Sequence, residues 1–517
     1  MVTRPRRQGT QHWLPAHELH WLTAIMACSG INAVGTRAQR EQYVRDSVDA
    51  FVEDTMKAGR GLCNRDLVEV LGSQSAAAVD FIESFNVKLD VLSQLGGHSA
   101  KRTHREANRP DGRPRPIGWD IVSALKQHVE QLADSGMVTI AVNTQVKAMA
   151  RAGSSYSLHL ATTTPGEGSE DAVTSTQDAA FDAVILTTGG YSASPSLLGN
   201  HTPHLQDLPT TNGPWAQGEG IALGQQVEAT PEHLEYVQVH PTGFVDPTDV
   251  DAKTLFLAPE ALRGSGGVLL SVHGVRFVNE LAPRDVVTGH IWRDSSAEPA
   301  EMAEQAGDEE VPVHKQPPTV AWAYLVLDHK AVQAFGSAAF GFYHKAKHFF
   351  TEVSGTRGLA AHIAQANAAR ELHTEVPEAH VRQTFEEYAQ AADGLRTDAF
   401  GKTVFPNTRY QRVVSHGDHP LFVAMIQPVL HYTMGGLKID TTGAMLDGNS
   451  DAIPGLYGAG EVTAGVHGAN RLGGNSLLEC VVFGRLAGKH ATLYGQQIRQ
   501  HAEHTEQAEK EQGHDEL

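Results

Sequence analysis

The stretch LYGAGEVTAGVHGANRLGGNSLLECVVFGR, Leu456 to Arg485, reads as a buried strand, a glycine-rich loop and the start of a helix. The apolar run from Ile453 to Tyr457 supplies the strand. Gly458, Gly460, Gly465, Gly468, Gly473 and Gly474 then allow the backbone to come within contact distance of a neighbour. Asn475 or Ser476 suits the cap of a helix whose apolar side is Leu478, Val481, Val482 and Leu486. The N–H groups and positive dipole end of that helix would face the loop, a position that attracts an anion such as a phosphate. Local chemistry alone leaves a plain turn between two structural elements equally open.

Composition bounds the alternatives. At 517 residues and 41% hydrophobic, the chain is long enough for a large core and is expected to divide into two domains. A formal net charge of -19 argues against nucleic acid as the main partner. No apolar run approaches the roughly 20 residues that span a bilayer, so no membrane insertion is expected. Cys28, Cys63 and Cys480 are too few for an iron-sulfur cluster, and no C-x-x-C-H haem motif is present. The 28 histidines include no H-E-x-x-H pattern, so no metal site is expected.

Further blocks punctuate the chain. They are ACSGINAVGT at 27 to 36, SQLGGHSAKRTHR at 93 to 105 and FDAVILTTGGYS at 181 to 192, the last a buried parallel strand ending in Gly189-Gly190. VQVHPTGF at 237 to 244, LAPEALRGSGGVLL, VRFVNELAPRDVVT and HYTMGGLKID follow. VTIAVNTQVKAM, 138 to 149, is strand-like, and the polar stretch 162 to 180 suits an exposed hairpin or loop. The acidic segment 295 to 318 suits a disordered surface loop.

Taken together these blocks closely resemble the fumarate reductase and succinate dehydrogenase flavoprotein superfamily, from about Ala27 to about Tyr494. GVHGANRLGGNSLLE is most similar to its soluble fumarate reductase branch. The resemblance implies an α/β fold with a Rossmann-like, discontinuous FAD-binding domain and an inserted α+β capping domain. The flavin domain would occupy 27–236 and 428–499 and the cap 237–427, with an atypical N-terminus before and a polar tail after.

The resemblance also implies residue roles. Ser29, Gly30, Asn32, Gly189, Gly190, Glu461, Asn475, Ser476 and Leu477 would bind FAD. His240, His431 and Arg471 would hold the substrate carboxylates, Arg471 through a two-point grip that a lysine makes less well. Arg284 would donate the proton, replenished through Glu260 and Arg263, which share a face if they lie on one helical turn. Each residue also has a plain alternative: a local ion pair for Glu260 with Arg263, a satisfied core histidine for His240 and His431, a helix cap for Arg284 with Asp285. Pro259 stands where some relatives have a carboxylate-binding threonine, and Tyr432 where some have a histidine. Thr23 falls where membrane-bound relatives attach flavin through a histidine, so the FAD is expected to be non-covalent.

Two departures concern the chain ends. The first 25 residues lack the strand, G-x-G-x-x-G turn and acidic residue of a dinucleotide fold, which predicts an unpaired strand edge in the flavin sheet. The last four residues, His514-Asp515-Glu516-Leu517, form an endoplasmic reticulum retention address, although no signal peptide is visible. Together they suggest a longer parent chain carrying both missing features.

The function expected is reduction of fumarate to succinate, with hydride from N5 of reduced FAD and electrons from free reduced flavin (FMNH2 or FADH2). The expected location is the endoplasmic reticulum lumen through the retention receptor, with the mitochondrion as alternative. A related flavoprotein acting on another unsaturated acid or amino acid, and a catalytically dead chain without stable FAD, are the rival readings.

Overall fold

The computed structural model describes residues 2–6, 9–16, 30–107, 115, 117–164, 173–294, 321–406, 408–416 and 418–515. Its central sheet runs in the order Ala444–Leu446, Ala452–Gly458, Ala183–Leu186, Val2–Arg6, Gly9–Ala16, Val138–Val142. Val184 pairs in parallel with Leu456, and Leu186 with Gly458. Every residue of Ala183–Leu186 is buried, as a strand covered on both faces requires, so its sequence is an unbroken apolar run rather than an alternating one. Both strands end at the same edge, and there each releases a glycine-rich loop.

The expected unpaired strand edge is not found. Val2–Arg6 and Gly9–Ala16 form an antiparallel hairpin inside this sheet. Val2 lies opposite Val184, while Gly9–Ala16 runs parallel to Val138–Val142, from His12 opposite Val138 to Ala16 opposite Val142. A ladder is made by main-chain N–H and C=O groups, so a segment without the glycine fingerprint can still complete the sheet.

A second, antiparallel sheet carries His240 and His431. Its order is Val237–Phe244, Pro420–Thr433, Ala323–Asp328, Val268–Leu270, with Thr351–Ser354 also on the long central strand. The expected boundary between 427 and 428 lies within that 14-residue strand. Behind the sheet Leu270, Tyr324, Leu359, Phe385, Tyr388 and Leu421 form an apolar cluster. A buried ionic group, Arg276, Glu280, Asp398 and Lys402, is inset beside it, with Lys402 Nζ 2.6 Å from Glu280 Oε2 and Arg276 Nε 2.8 Å from Glu280 Oε1. Burial would raise the Glu280 carboxyl, but the Arg276 and Lys402 cations outweigh it and hold it at about 2.

One local reading needs correction. VTIAVNTQVKAM is not one strand: Asn143, at φ 52°, breaks it into Val138–Val142 and Thr144–Ala152, which join different sheets. The polar tail continues the C-terminal helix, which runs unbroken from Asn475 to Asp515. Leu478, Val482, Phe483, Ala487 and Ala491 anchor its first half against the sheet, and the Gln-, Ala- and Glu-rich remainder has the propensity to extend it. The polar stretch 162 to 180 does contribute a hairpin, with Thr162 opposite Ser175. Among the described residues no helix is long and apolar enough to cross a membrane. Thr23, Ser29, the segment 295–318 and the final Glu516 and Leu517 lie outside the described residues.

Candidate active site

Glu260 and Arg263 do lie on one short helix, Glu260–Gly264, which opens after Pro259 in an extended conformation. Arg284 opens the helix Arg284–Asp294. Arg284 Nε donates to Glu260 Oε2 at 3.0 Å, and Arg284 Nη1 donates to Gln238 Oε1 at 3.0 Å. The other Glu260 oxygen accepts the Gly96 N–H at 2.9 Å. Burial opposes ionisation of Glu260, yet Arg284, Arg263 and the Gly96 N–H together hold its carboxyl down at about 2. Arg263 is buried, donates from Nη1 to the Glu280 carbonyl at 2.6 Å and has no partner on Nε or Nη2. Burial makes its guanidinium more acidic than usual, opposed by Glu260.

The glycine-rich loop lies directly over this group. A Cβ at Gly473 would stand 2.9 Å from Leu95 Cδ1 and 3.2 Å from Arg284 Nη2. Bare backbone at that point lets the loop pass close enough to place Arg471 beside Arg284.

The anion-binding candidates converge on the same side. His240, fully buried on Val237–Phe244, accepts the Thr242 N–H at Nδ1 (3.2 Å), which places its proton on Nε2. That Nε2 has no hydrogen-bond partner in the protein. The His431 ring lies 5.3 Å away, its Nδ1 2.8 Å from Thr211 Oγ1. Burial first, then the neighbouring Arg284, holds both imidazoles well below their usual range, so both are neutral hydrogen-bonding groups near pH 7. Arg471 Nε is likewise buried and unpartnered. Burial and the nearby Arg284 cation bring its guanidinium down to about 10, which leaves it charged at neutral pH. Buried donors without protein acceptors cost free energy unless something else accepts from them, and a small carboxylate meets that requirement.

The expected flavin contacts divide into two groups. At Gly189, where φ is 75°, an added Cβ would meet nothing within 4 Å, and Thr188 Oγ1 just before it is buried without a partner. Gly190 lies under Thr433 and Glu461, where a Cβ would come within 1.9 and 2.4 Å of their side-chain oxygens. Glu461 accepts the Thr433 N–H at 2.8 Å, and burial raises its carboxyl to about 7. Ser476 is part-exposed on the first turn of the long helix.

The others also brace the loop. Asn32 Nδ2 donates to the Gly473 carbonyl and to Asn475 Oδ1, each at 2.7 Å, while its Oδ1 accepts from Thr103 at 2.6 Å. Those bonds occupy the amides of Asn32 and Asn475 with protein partners. Gly30, at φ 108°, packs against the His104 carbonyl, and Leu477 is buried in the main apolar cluster.

Several participants were not read from the sequence, and Tyr432 only as the replacement of a histidine. Gln238, three residues upstream of Pro241 in VQVHPTGF, bridges Arg284 to the loop by donating from Nε2 to Asn470 Oδ1 at 2.8 Å and to the Arg471 carbonyl at 2.7 Å. Tyr432 places its ring 4.4 Å from the Arg471 guanidinium and donates to Glu479 at 2.5 Å; His467 Nε2 lies 2.9 Å from the same Glu479 oxygen. The only sequence signal was that these residues sit beside ones already singled out.

Residues 19–477 match the family model described as FAD binding domain. The chain belongs to that family. FAD is therefore its cofactor, and the open backbone at Gly189, with the orphaned Thr188 hydroxyl beside it, fits a bound dinucleotide. This flavoprotein is 36% identical to a fumarate reductase of Schizosaccharomyces pombe over 91% of its own length and 82% of the relative's. It is 33% identical to fumarate reductase 1 of Saccharomyces cerevisiae, covering 90% and 89% of the two chains. Among solved structures it is similar to the open conformation of a flavocytochrome c3 fumarate reductase, with TM-score 0.64 and 25% identity over 95% of this chain and 79% of that one.

Proposed function

We propose that this flavoprotein reduces fumarate to succinate. The observation that carries this reading is the placement of Arg284, bound to Glu260 and Gln238, beside the unpartnered donors His240 Nε2 and Arg471 Nε. Such a set would meet a small dianion at both of its ends with a proton donor at hand.

Bound FAD, once reduced, supplies a hydride. Arg471 grips one carboxylate in two-point fashion; the His240 Nε2–H and the His431 ring meet the other. Holding a carboxylate out of conjugation polarises the alkene so that one carbon accepts hydride. Arg284 gives a proton to the other carbon and becomes a neutral guanidine for a moment. An arginine rarely releases a proton. Here Glu260, ionised and 3.0 Å from Nε, would pass back a proton taken from Arg263, which restores the Arg284 cation, and Arg263 would in turn regain its proton from solvent. The product is succinate, with one hydride and one proton added across the double bond.

In this reading the chain uses a flavin domain at 27–236 and 428–499 and a cap at 237–427, and it takes electrons from free reduced flavin. The terminal His-Asp-Glu-Leu supports residence in the endoplasmic reticulum lumen, where the reaction would regenerate oxidised flavin. The test is anaerobic turnover of the FAD-loaded chain with reduced FMN and fumarate, against acrylate as a one-carboxylate control. Succinate formation with little acrylate reduction is expected. No succinate from a fully flavin-loaded preparation rejects the proposal.

A further inference from the structure

The hydrogen bonds around Arg284 close on themselves. Arg284 Nη1 donates to Gln238 Oε1 at 3.0 Å, Gln238 Nε2 donates to Asn470 Oδ1 at 2.8 Å, and Asn470 Nδ2 donates to Asp285 Oδ1 at 3.1 Å. Asp285 is joined to Arg284 by the peptide bond, so the ring is complete. All three bonds point the same way, from a guanidinium at the start to a carboxylate at the end, the arrangement in which each bond polarises the next.

The second Asp285 oxygen pairs with Arg60 Nη2. Arg60 belongs to a tight turn after the helix Val48–Ala58, and its own backbone is left-handed at φ 52°. That turn is wedged against the glycine-rich loop: the Ala469 N–H donates to the Gly59 carbonyl at 3.1 Å, and a Cβ at Gly468 would stand 2.4 Å from the same oxygen. Arg60 thus reaches from a firmly seated turn to the first turn of the helix that Arg284 opens. Arg60, Asp285, Gln238 and Asn470 also line a surface cleft of about 50 Å³, enough for one or two waters. Water there can compete for the bonds that join Gln238, Asn470 and Asp285.

We propose that Asp285 is a positioning residue for the proton donor, and that Arg60 holds it in place from the other side of the cleft. This rests on the fumarate reading, in which Arg284 is the proton donor. The Asp285 carboxylate fixes Asn470, Asn470 fixes the Gln238 amide, and the amide fixes the direction of the Arg284 guanidinium. With the clamp released, Arg284 keeps Glu260 but loses its second anchor, and the proton leaves from a poorly aimed nitrogen. Arg60 is 40% exposed, so its removal is expected to leave the fold intact.

The experiment compares Arg60→Ala, Asp285→Asn and the double variant, each as the full FAD-loaded chain with reduced FMN as donor. Each single change is expected to lower kcat by about ten-fold, as misplacement of a reacting group does, with KM for fumarate little changed. The double variant should be no slower than either single one, because both remove the same clamp. Arg60→Lys should recover most of the rate. Unchanged kcat in Arg60→Ala, or multiplied losses in the double variant, would overturn the proposal; the second result would mean that Asp285 acts through the helix dipole alone. Amide exchange across residues 285–290 gives a readout without fumarate, and Arg60→Ala should exchange faster there. If the unaltered chain makes no succinate, the fumarate reading fails and the exchange comparison still decides the clamp.

Discussion

Arg284 Nε stands 3.0 Å from Glu260 Oε2, and neither side chain is more than 11% exposed. This pairing of a proton donor with its source of replacement is the centre of the proposed chemistry. Glu260→Gln keeps the size of the side chain and an acceptor for the Gly96 N–H, but it cannot hold a negative charge or pass a proton back. Steady-state turnover should fall by about 10²–10⁴-fold, the range for loss of a general acid–base group, while KM for fumarate changes little. A large rise in KM with kcat preserved would place Glu260 in binding instead.

Glu280 has its carboxyl at about 2 against an ordinary 4.5, so between those values the unfolded chain binds the extra proton. The stabilisation is therefore fully present above about pH 4.5 and is lost as pH falls toward 2. Glu260 acts in the same direction over the same window. Acid titration followed by circular dichroism should locate the loss there. Glu280→Ala leaves Arg276 and Lys402 buried without their shared carboxylate and should cost about 3–5 kcal/mol in a denaturant titration at neutral pH.

Glu461 titrates with the opposite sign. Its carboxyl is raised to about 7, so folding favours the protonated form. That contribution is fully present below about pH 4.5 and is lost as pH rises through 7. Thermal melting of flavin-free protein should show a fall in Tm between these values, and Glu461→Gln, neutral at every pH, should flatten it. An unchanged slope in that variant would assign the fall to another group.

Gly474 sits at φ 85°, and a Cβ there would stand 2.3 Å from Asn32 Oδ1. Gly474→Ala combines backbone strain of about 1–3 kcal/mol with displacement of the amide that braces the loop. The variant should fold but retain less FAD, read as the ratio of flavin to protein absorbance after gel filtration. Full flavin content would mean that the loop can relax without losing its hold on the cofactor.

Much of the candidate site was legible in the chain itself. His240, Arg284, Arg471 and the Glu260–Arg263 turn stand in recognisable blocks, because charged and hydrogen-bonding residue types in an ordered motif carry a chemical signature that can be read from the chain. Gln238 and Asn470 were not legible. A side-chain amide is chemically ordinary, and its work here depends on partners more than 45 and 180 residues away in sequence, Arg284 and Asp285 respectively. Asn32 was legible as a participant, but its role as a brace depends on the neighbours that take up its amide.

By itself the sequence pointed to an α/β flavoprotein, through the resemblance of its ordered blocks to a flavoprotein superfamily, and it named the charged residues that are candidates for the reacting set. Tertiary structure alone decided that residues 2–16 supply two strands to the central sheet, because ladder pairing is made by backbone groups and leaves no side-chain signature. It also decided that the C-terminal helix continues to Asp515, and that the Arg284 guanidinium is aimed by a ring of bonds closing at Asp285. Those outcomes depend on which distant groups meet, and chain order does not encode such meetings in any local pattern.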